Sequence, residues 1–273
     1  MTRRPDLLLG GIPVARRFGL VNWLGLATFF RREMSRNFKI WKITLAAPAI
    51  RAILFASVFG LAIDQDSTLI GNLPFMAFLI PGLVAVAALE RAFESSAFSI
   101  VYDKVEGIFG DLAVLPLTPG ELVLGFSAAA VSGSLIVSAV VWAALLPFGG
   151  SLPQNPLAMV FFVSVGSLMV GLFSQISGLW ARKWDYITSV QTFVFLPFVF
   201  FSGVFFSLDA LPDFLLPVAR ANPVFYIVDG IRFSLTGQAE VSPLFGALIC
   251  VAVTAFLWGV SYRLFSVGYR MKS

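Results

Sequence analysis

FVFLPFVFFSGVFFSLDALPDFLLPVARANPVFYIVDGIR, residues 193–232, begins as a membrane span and then stops being one. The Phe-dense run ends at Phe206. Pro212, Pro217 and Pro223 cut the remainder into pieces of about ten residues, because proline ends or kinks a helix. Asn222-Pro223 is a helix start, with Asn as N-cap and Pro at the first helical position. Leu211, Phe214, Leu215 and Val218 suit one face of a short helix, and Phe225, Val228 and Ile231 suit another. A span takes about 20 apolar residues, whereas 10–14 mark a re-entrant or interfacial segment. The stretch therefore reads as two half-helices at the membrane surface that cap the outer end of a passage. A loop lying on the bilayer is the plainer alternative. Pro212, Asn222, Pro223, Asp229 and Arg232 are the candidate outer gate, and Asp229 and Arg232, three apart, are expected to pair locally.

The chain has 273 residues, 58% hydrophobic and 12% charged, with mean hydropathy +0.89. Soluble domains carry about 25% charged residues, so this is the composition of an integral membrane protein. The apolar runs exceed strand length and lack strict alternation, which favours helices over a β-barrel. Cys250 is the only cysteine and there is no histidine. No Cys/His metal site, His-based triad or internal disulfide is therefore expected. The basic residues sit beside spans, so topology rather than nucleic acid accounts for the net charge of +4. No secretory signal peptide is expected either, since the apolar stretch before Arg16 is short and broken by Gly10, Gly11 and Pro13.

Taken in order, residues 1–21 form a basic tail with Arg3, Arg4, Arg16 and Arg17. From Asn22 to Trp41 the period is helical. Trp23, Ala27, Phe30, Met34, Phe38 and Trp41 fall on one side, and Arg32, Ser35, Arg36 and Lys39 largely on the other, as in a helix lying in the membrane interface. Spans are expected at 43–63, 73–96, 121–146, 156–180, 187–206 and 243–264. The fold expected is an all-α integral membrane protein of six transmembrane helices, with an N-terminal amphipathic interface helix and two re-entrant or interfacial half-helices between the fifth and sixth spans. Residues 1–42 are read as cytoplasmic tail and interface helix, and 43–273 as a single transmembrane domain. Nine of the 19 Lys and Arg residues precede the first span. With Lys104, Arg182, Lys183, Arg263, Arg270 and Lys272 they put both termini in the cytoplasm, leaving only Arg220 and Arg232 in outer connections.

Charges within spans are costly, about 2.5–3.5 kcal/mol for a central arginine, and usually have partners. Arg51 lies in the first expected span, and Glu90, Arg91 and Glu94 lie on the second. Two readings stand: an inner helix end wetted by water, or a buried pair of Arg51 with Glu90 or Glu94. The fifth span offers a wall of Phe193, Phe195, Phe198, Phe200, Phe201, Phe205 and Phe206. Packing or lipid contact is its plain reading. As a substrate path, Phe195, Phe198, Phe201 and Phe205 would meet an acyl or aromatic ligand. The sparse polar residues (Ser132, Ser134, Ser138, Gln175, Ser177, Gln191) do not suit a small-ion pathway.

The longest inner connection, residues 101–125, mixes Asp103, Lys104, Glu106 and Asp111 with Val105, Phe109, Leu112 and Leu115. A short helix of that kind can lay an apolar ridge in a groove of a soluble partner. The order of parts resembles the permease subunits of type-2 ABC exporters, over about residues 22–270. The pieces are the interface helix, FLIPGL at 78–83, Glu106-Gly107, LPLTPGE at 115–121, Pro197 with SGVFF at 202–206, LDALP at 208–212, Asn222-Pro223 and DGIR at 229–232. One departure is Gly110, where the family commonly has an acidic residue; Asp111 is the nearest replacement.

The resemblance implies a half-transporter in a bacterial inner membrane, exporting a drug, lipid or lipid-linked glycan. It implies a second copy of the chain and two separate ATPase subunits that hold ATP and Mg. The inner loop would dock them through Asp103, Lys104, Glu106, Gly107, Asp111, Leu112, Leu115 and Pro116. The residues agree in one respect: there is no Gly-x-x-x-x-Gly-Lys-Ser/Thr phosphate loop, nor any Gly-Lys dipeptide. Two other classes remain open, a secondary transporter and an intramembrane enzyme acting on a lipid-linked substrate. Inverted repeats or a clustered nucleophile and base would mark them.

Overall fold

A computed structural model describes Gly19 and residues 21–62 and 73–270. The basic tail at 1–18, most of the connection after the first expected span and Lys272 lie outside the described residues. The order is α1 (Trp23–Lys39), α2 (Ala47–Ala62), α3 (Phe75–Val105), α4 (Pro119–Leu145), α5 (Pro156–Trp180), α6 (Trp184–Val190), α7 (Leu196–Phe200), α8 (Leu216–Ala221), α9 (Pro223–Thr236) and α10 (Pro243–Ser266). Among the described residues five helices are long and apolar enough to cross a membrane: α2 with its preceding turn, α3, α4 with its following turn, α5 and α10.

α3 is the central helix. In its most apolar window 78% of residues are buried, against 11% for α2 at the edge. Against α3 pack α4, α5 and α9, and α10 closes the far side of α5 and α9. One end of the bundle, the basic end, carries Arg32, Arg36, Lys104, Arg182 and Arg270. Ser151, Gln154 and Thr236 lie at the far end, where the Ser151 hydroxyl reaches the Leu235 carbonyl (3.2 Å).

Three sequence expectations need correction. α3 does not end near residue 96 but runs 31 residues to Val105. Glu90 is thus at its midpoint rather than at a wetted end. Of the charges that looked like a terminus, Glu90 pairs with Arg51 of α2, and Arg91 pairs with Glu94 of its own helix.

The fifth expected span, 187–206, is a chain of pieces of 7, 5 and 5 residues that stops at Phe200. Its middle piece, Gln191–Phe195, is a widened π turn immediately before Pro197. A similar turn, Lys42–Ala46, precedes Pro48. In both places the proline ring would clash with the carbonyl four residues back, and widening the turn relieves it. Beyond Phe200 the Ser202 hydroxyl donates to the Val199 carbonyl (2.5 Å) and Gly203 takes a left-handed φ of 73°, which favours glycine and stops the helix.

The half-helices do not both lie on a surface. α8 has only 6 residues, with Val218 exposed on it and Phe214 exposed in the turn before it. α9 has 14 residues, and Val224 through Arg232 are all buried. Asn222 Nδ2 donates to the Phe198 carbonyl (2.6 Å), and Pro223 lies beside Met169 and Val170, midway along α5. α9 then climbs to the far end, where the Ser234 carbonyl accepts from Asn155 N (3.0 Å). The segment is re-entrant, dipping to mid-bundle and returning.

Candidate functional site

Two local devices start α9. The Asn222 side chain caps it by accepting from Val224 N (3.0 Å), and Pro223 occupies the first turn. Its buried face then presents Asp229 and Arg232 to one another (3.3 Å). Arg232 is fully buried. It donates to the Gly203 carbonyl (2.6 Å), approaches Glu240 (3.6 Å) and lies 4.0 Å over the Phe78 ring. Asp229 accepts from the backbone N–H groups of Glu240 and Val241, each at 3.0 Å, and Glu240 accepts from Leu208 N (3.0 Å). Four chain segments are tied at this one polar node. Close by, a Cβ on Gly82 would sit 2.9 Å from the Val204 carbonyl oxygen, so glycine lets the 201–208 connection touch α3. Phe78 and Gly82 of FLIPGL thus meet the SGVFF and DGIR pieces in space. Pro212 is apart, on an exposed turn. Sequence reasoning missed Glu240 and the role of Phe78; the only signal was a lone acid after Gly237 in the short connection before α10.

Arg51 meets Glu90 in an ion pair between α2 and α3, with the Arg51 side chain 49% exposed and that of Glu90 12%. Glu94 pairs with Arg91 instead (3.6 Å). The Arg51–Glu90 pair closes one end of a groove of about 230 Å³ walled by Phe55, Leu83, Val86, Phe200 and Phe205. The four expected path phenylalanines do not share one wall. Phe205 lines this groove, while Phe195 stacks on Phe93 (4.9 Å) and is buried. Phe195 and Phe198 border a cavity of about 180 Å³ against α5 and the start of α9. Phe198 and Phe201 border a wider one beside Pro217 and Val218. A helix presents successive residues about 100° apart, so a Phe in nearly every position must face several neighbours.

At the basic end the expected docking residues split in two. Asp103 is buried and bound by Arg32 (2.6 Å) and Arg36 (2.7 Å) of α1. Lys104 donates to the carbonyls of Gly178 (3.0 Å), Leu179 (2.5 Å) and Ala181 (3.0 Å), tying α3 to the end of α5. Phe109 and Leu112 also turn inward. These residues hold the loop rather than offer a surface, so the outward ridge differs from the expected one. Exposed instead are Tyr102, Val105, Ile108, Val114 and Leu115, with Glu106, Gly107, Asp111 and Pro116 beside them. Gly107 turns the chain with a φ of 74°.

The loop is anchored onward as well. Thr118 and Glu121 form a reciprocal cap on α4. Glu121 also accepts from Asn22 N (2.5 Å), and Asn22 Nδ2 donates to the Pro116 carbonyl (2.9 Å). α1 adds further rungs along α3, from Glu33 to Ser99 and from Asn37 to Ser95 (3.0 Å). Its inward face is Leu26, Phe29, Glu33 and Asn37; the apolar stripe read from sequence faces outward, with Trp23 71% exposed. Burial pushes the Glu33 carboxyl above the usual carboxylate range, against the Ser99 hydrogen bond and the charges of Arg36 and Arg32. Among the described residues no three His, Cys, Asp or Glu side chains cluster as metal ligands.

Comparison with known proteins agrees with this arrangement of parts. The inner membrane transport permease YadH of Escherichia coli K12 is 30% identical over 249 residues, covering 88% of this chain and 96% of that protein. Nodulation protein J of Rhizobium leguminosarum bv. viciae is 28% identical over 262 residues, covering 88% and 92%. Nodulation protein J of Rhizobium meliloti is 27% identical over 243 residues, covering 81% and 87%. The likeness and the apolar helices make this a multi-pass inner membrane protein. The family model described as ABC-2 type transporter matches residues 25–236, a span that takes in α1 but for its first two residues, the basic-end loop and the whole re-entrant segment, and the chain belongs to that family of transport permeases.

Proposed function

We propose that the chain is the membrane subunit of an ATP-driven exporter, working as two copies with two separate ATPase subunits. In this reading it carries a hydrophobic, amphipathic or lipid-linked glycan substrate out of the cytoplasm or inner leaflet. The basic end faces the cytoplasm with both termini, and the pieces of α6 and α7 make a sixth crossing. Lys/Arg placement supports the orientation, since Arg232 at the far end is sequestered in its ion pairs. ATP and Mg would be bound by the partner, not by this chain.

The observation that carries the reading is the exposed surface of Val105, Glu106, Ile108, Asp111, Val114 and Leu115. It is apolar with two acids, and its inner side is bonded to α1, α3, α4 and α5 together. A soluble partner pushing there would move four helices as one body. The groove between α2, α3 and α7, with Phe200, Phe205 and the Arg51–Glu90 pair, opens on the lightly covered α2 side and is the candidate path. Alternating access then requires only that ligand and ATP bind the two states unequally.

Affinity purification of the tagged chain from its native membrane is the test. The expected result is a soluble ATPase at about equal stoichiometry, lost in Glu106→Lys combined with Leu115→Asp while the melting temperature stays put. Recovery of the chain alone, with substrate uptake driven by an ion gradient in proteoliposomes lacking ATP, would establish a secondary transporter instead.

A further inference from the structure

Three cations converge on the last turn of α5. Lys104 donates to the Gly178, Leu179 and Ala181 carbonyls, Arg270 donates to the Trp180 carbonyl, and Arg182 directly follows Ala181. A helix C-terminus carries about half a unit of negative partial charge, which accounts for one cation and not three. Arg182 and Arg270 both repel the Lys104 ammonium. Lys183 adds a further charge next along the chain. Among the described residues no carboxylate lies within 4.0 Å of any of the four. Asp185 and Glu106, the acids nearest in sequence, are exposed and pair with none of them. The site holds surplus positive charge with its backbone carbonyls already taken.

Its surroundings indicate what that charge faces. Trp180, Trp184 and Tyr186 are 45%, 39% and 48% exposed, and Trp180 and Tyr186 meet edge to face at 5.5 Å. Trp and Tyr settle at headgroup level, one end apolar and the other wet. Further along the same composite helix Phe193 and Val194 are exposed. Cations at headgroup depth, rimmed by aromatic rings and followed by an apolar face, match an anionic lipid from phosphate to acyl chain. An acidic protein surface would instead call for cations standing clear of an aromatic rim.

We propose that Arg182, Lys183 and Arg270, beside the carbonyl-bound Lys104, form a binding site for the headgroup of an anionic phospholipid. The lipid lies against the junction of α5, α6 and the chain after α10, where its phosphate offsets the repulsion among the four cations. This goes beyond the transport reading and does not depend on it.

The test counts lipids retained by the full-length chain with whatever subunits it carries, taken from nanodiscs of equal phosphatidylcholine and phosphatidylglycerol, by native mass spectrometry. Phosphatidylglycerol is expected to be retained over phosphatidylcholine. Arg182→Gln removes an exposed side chain without a carboxylate partner, so folding is unaffected. It should lower that retention about fivefold, the equivalent of about 1 kcal/mol per basic residue at a membrane surface. Arg31→Gln, the same charge change on α1, should leave it unaltered. Equal retention of both lipids, or an Arg31→Gln effect as large, overturns the proposal. So does displacement of the lipid by millimolar inorganic phosphate, which assigns the site to free phosphate. Loss of the ATPase rather than of lipid in Arg182→Gln assigns it to a protein surface and overturns the proposal equally.

Discussion

Arg232 has no exposed surface and two acidic neighbours, so its guanidinium decides whether the re-entrant segment stays docked. Removing one partner of a buried charge network strands the others, at about 3–5 kcal/mol. Arg232→Met is therefore expected to lower the melting temperature sharply in detergent. Arg232→Lys should restore only part of the loss, because an ammonium cannot serve the Gly203 carbonyl and Asp229 as a planar fork does. A melt of Arg232→Met within a degree of the parent would refute the node's importance. Gly82 sets a steric counterpart. Gly82→Ala drives a Cβ against the Val204 carbonyl and should cost about 1–3 kcal/mol by overpacking. Gly259→Ala, with nothing within 4 Å in mid-helix, should instead stabilise by about 0.5–1 kcal/mol. Glu33 gives a pH dependence with a definite sign. Its folded carboxyl titrates above the 4.5 of the unfolded chain, so the folded state holds the proton longer. Its contribution is largest below about pH 4.5 and declines as pH rises until Glu33 ionises in the fold too. Glu33→Gln, which keeps the Ser99 contact, should flatten that decline in melts between pH 4 and 7; an unchanged profile would assign it to other groups.

At the scale of elements, α1 is more a strut than a float. Arg32 and Arg36 grip Asp103, Glu33 meets Ser99, Asn37 meets Ser95, and Asn22 joins Glu121 and Pro116. Asp103→Asn weakens both charge-assisted bonds, each worth about 1.5–3 kcal/mol. It should raise amide exchange throughout residues 23–39 while leaving α5 protected. Exchange confined to the mutated turn would show that α1 is held by its apolar face alone. This grip explains what the sequence displayed and what it concealed. The helical class and the Asn222-Pro223 start were legible because caps, prolines and apolar runs act within a few residues, whereas the Phe-dense run hid the helix end at Phe200, which Gly203 sets. The inward face of α1 was not legible either: Leu26, Phe29, Glu33 and Asn37 mix types, while the clean apolar stripe with Trp23 faces outward. Beside a bilayer, apolar no longer means buried in protein. For the same reason Glu90 on α3 read as part of a wetted end, when Arg51 of α2 pairs with it, and Asp103 read as a docking residue, when α1 holds it.

Across the whole molecule, α3 joins the two ends. Phe78 underlies Arg232 near its start, and Asp103 is gripped by α1 near its finish, so one 31-residue helix links the exposed basic-end surface to the re-entrant node. α2 stands outside this body. Ile50, Leu54, Val58 and Leu61 form an exposed stripe along it at helical spacing, next to the groove that holds Arg51. If two copies meet to enclose a path, this stripe is the seam, because it borders the groove that the Arg51–Glu90 pair closes. Leu54→Cys, in a Cys250→Ala background so that no other thiol exists, should then oxidise to a dimer of twice the mass in native membranes. Phe256→Cys on α10, where Phe256 is 70% exposed against 59% for Leu54, should not. Cross-linking at 256 and not at 54 would move the seam to α10 and leave the α2 groove facing lipid. If the seam is at α2 and the chain is the proposed exporter subunit, locking the seam should halt transport while reduction of the disulfide restores it, since on that reading the copies part along that line for a substrate to pass.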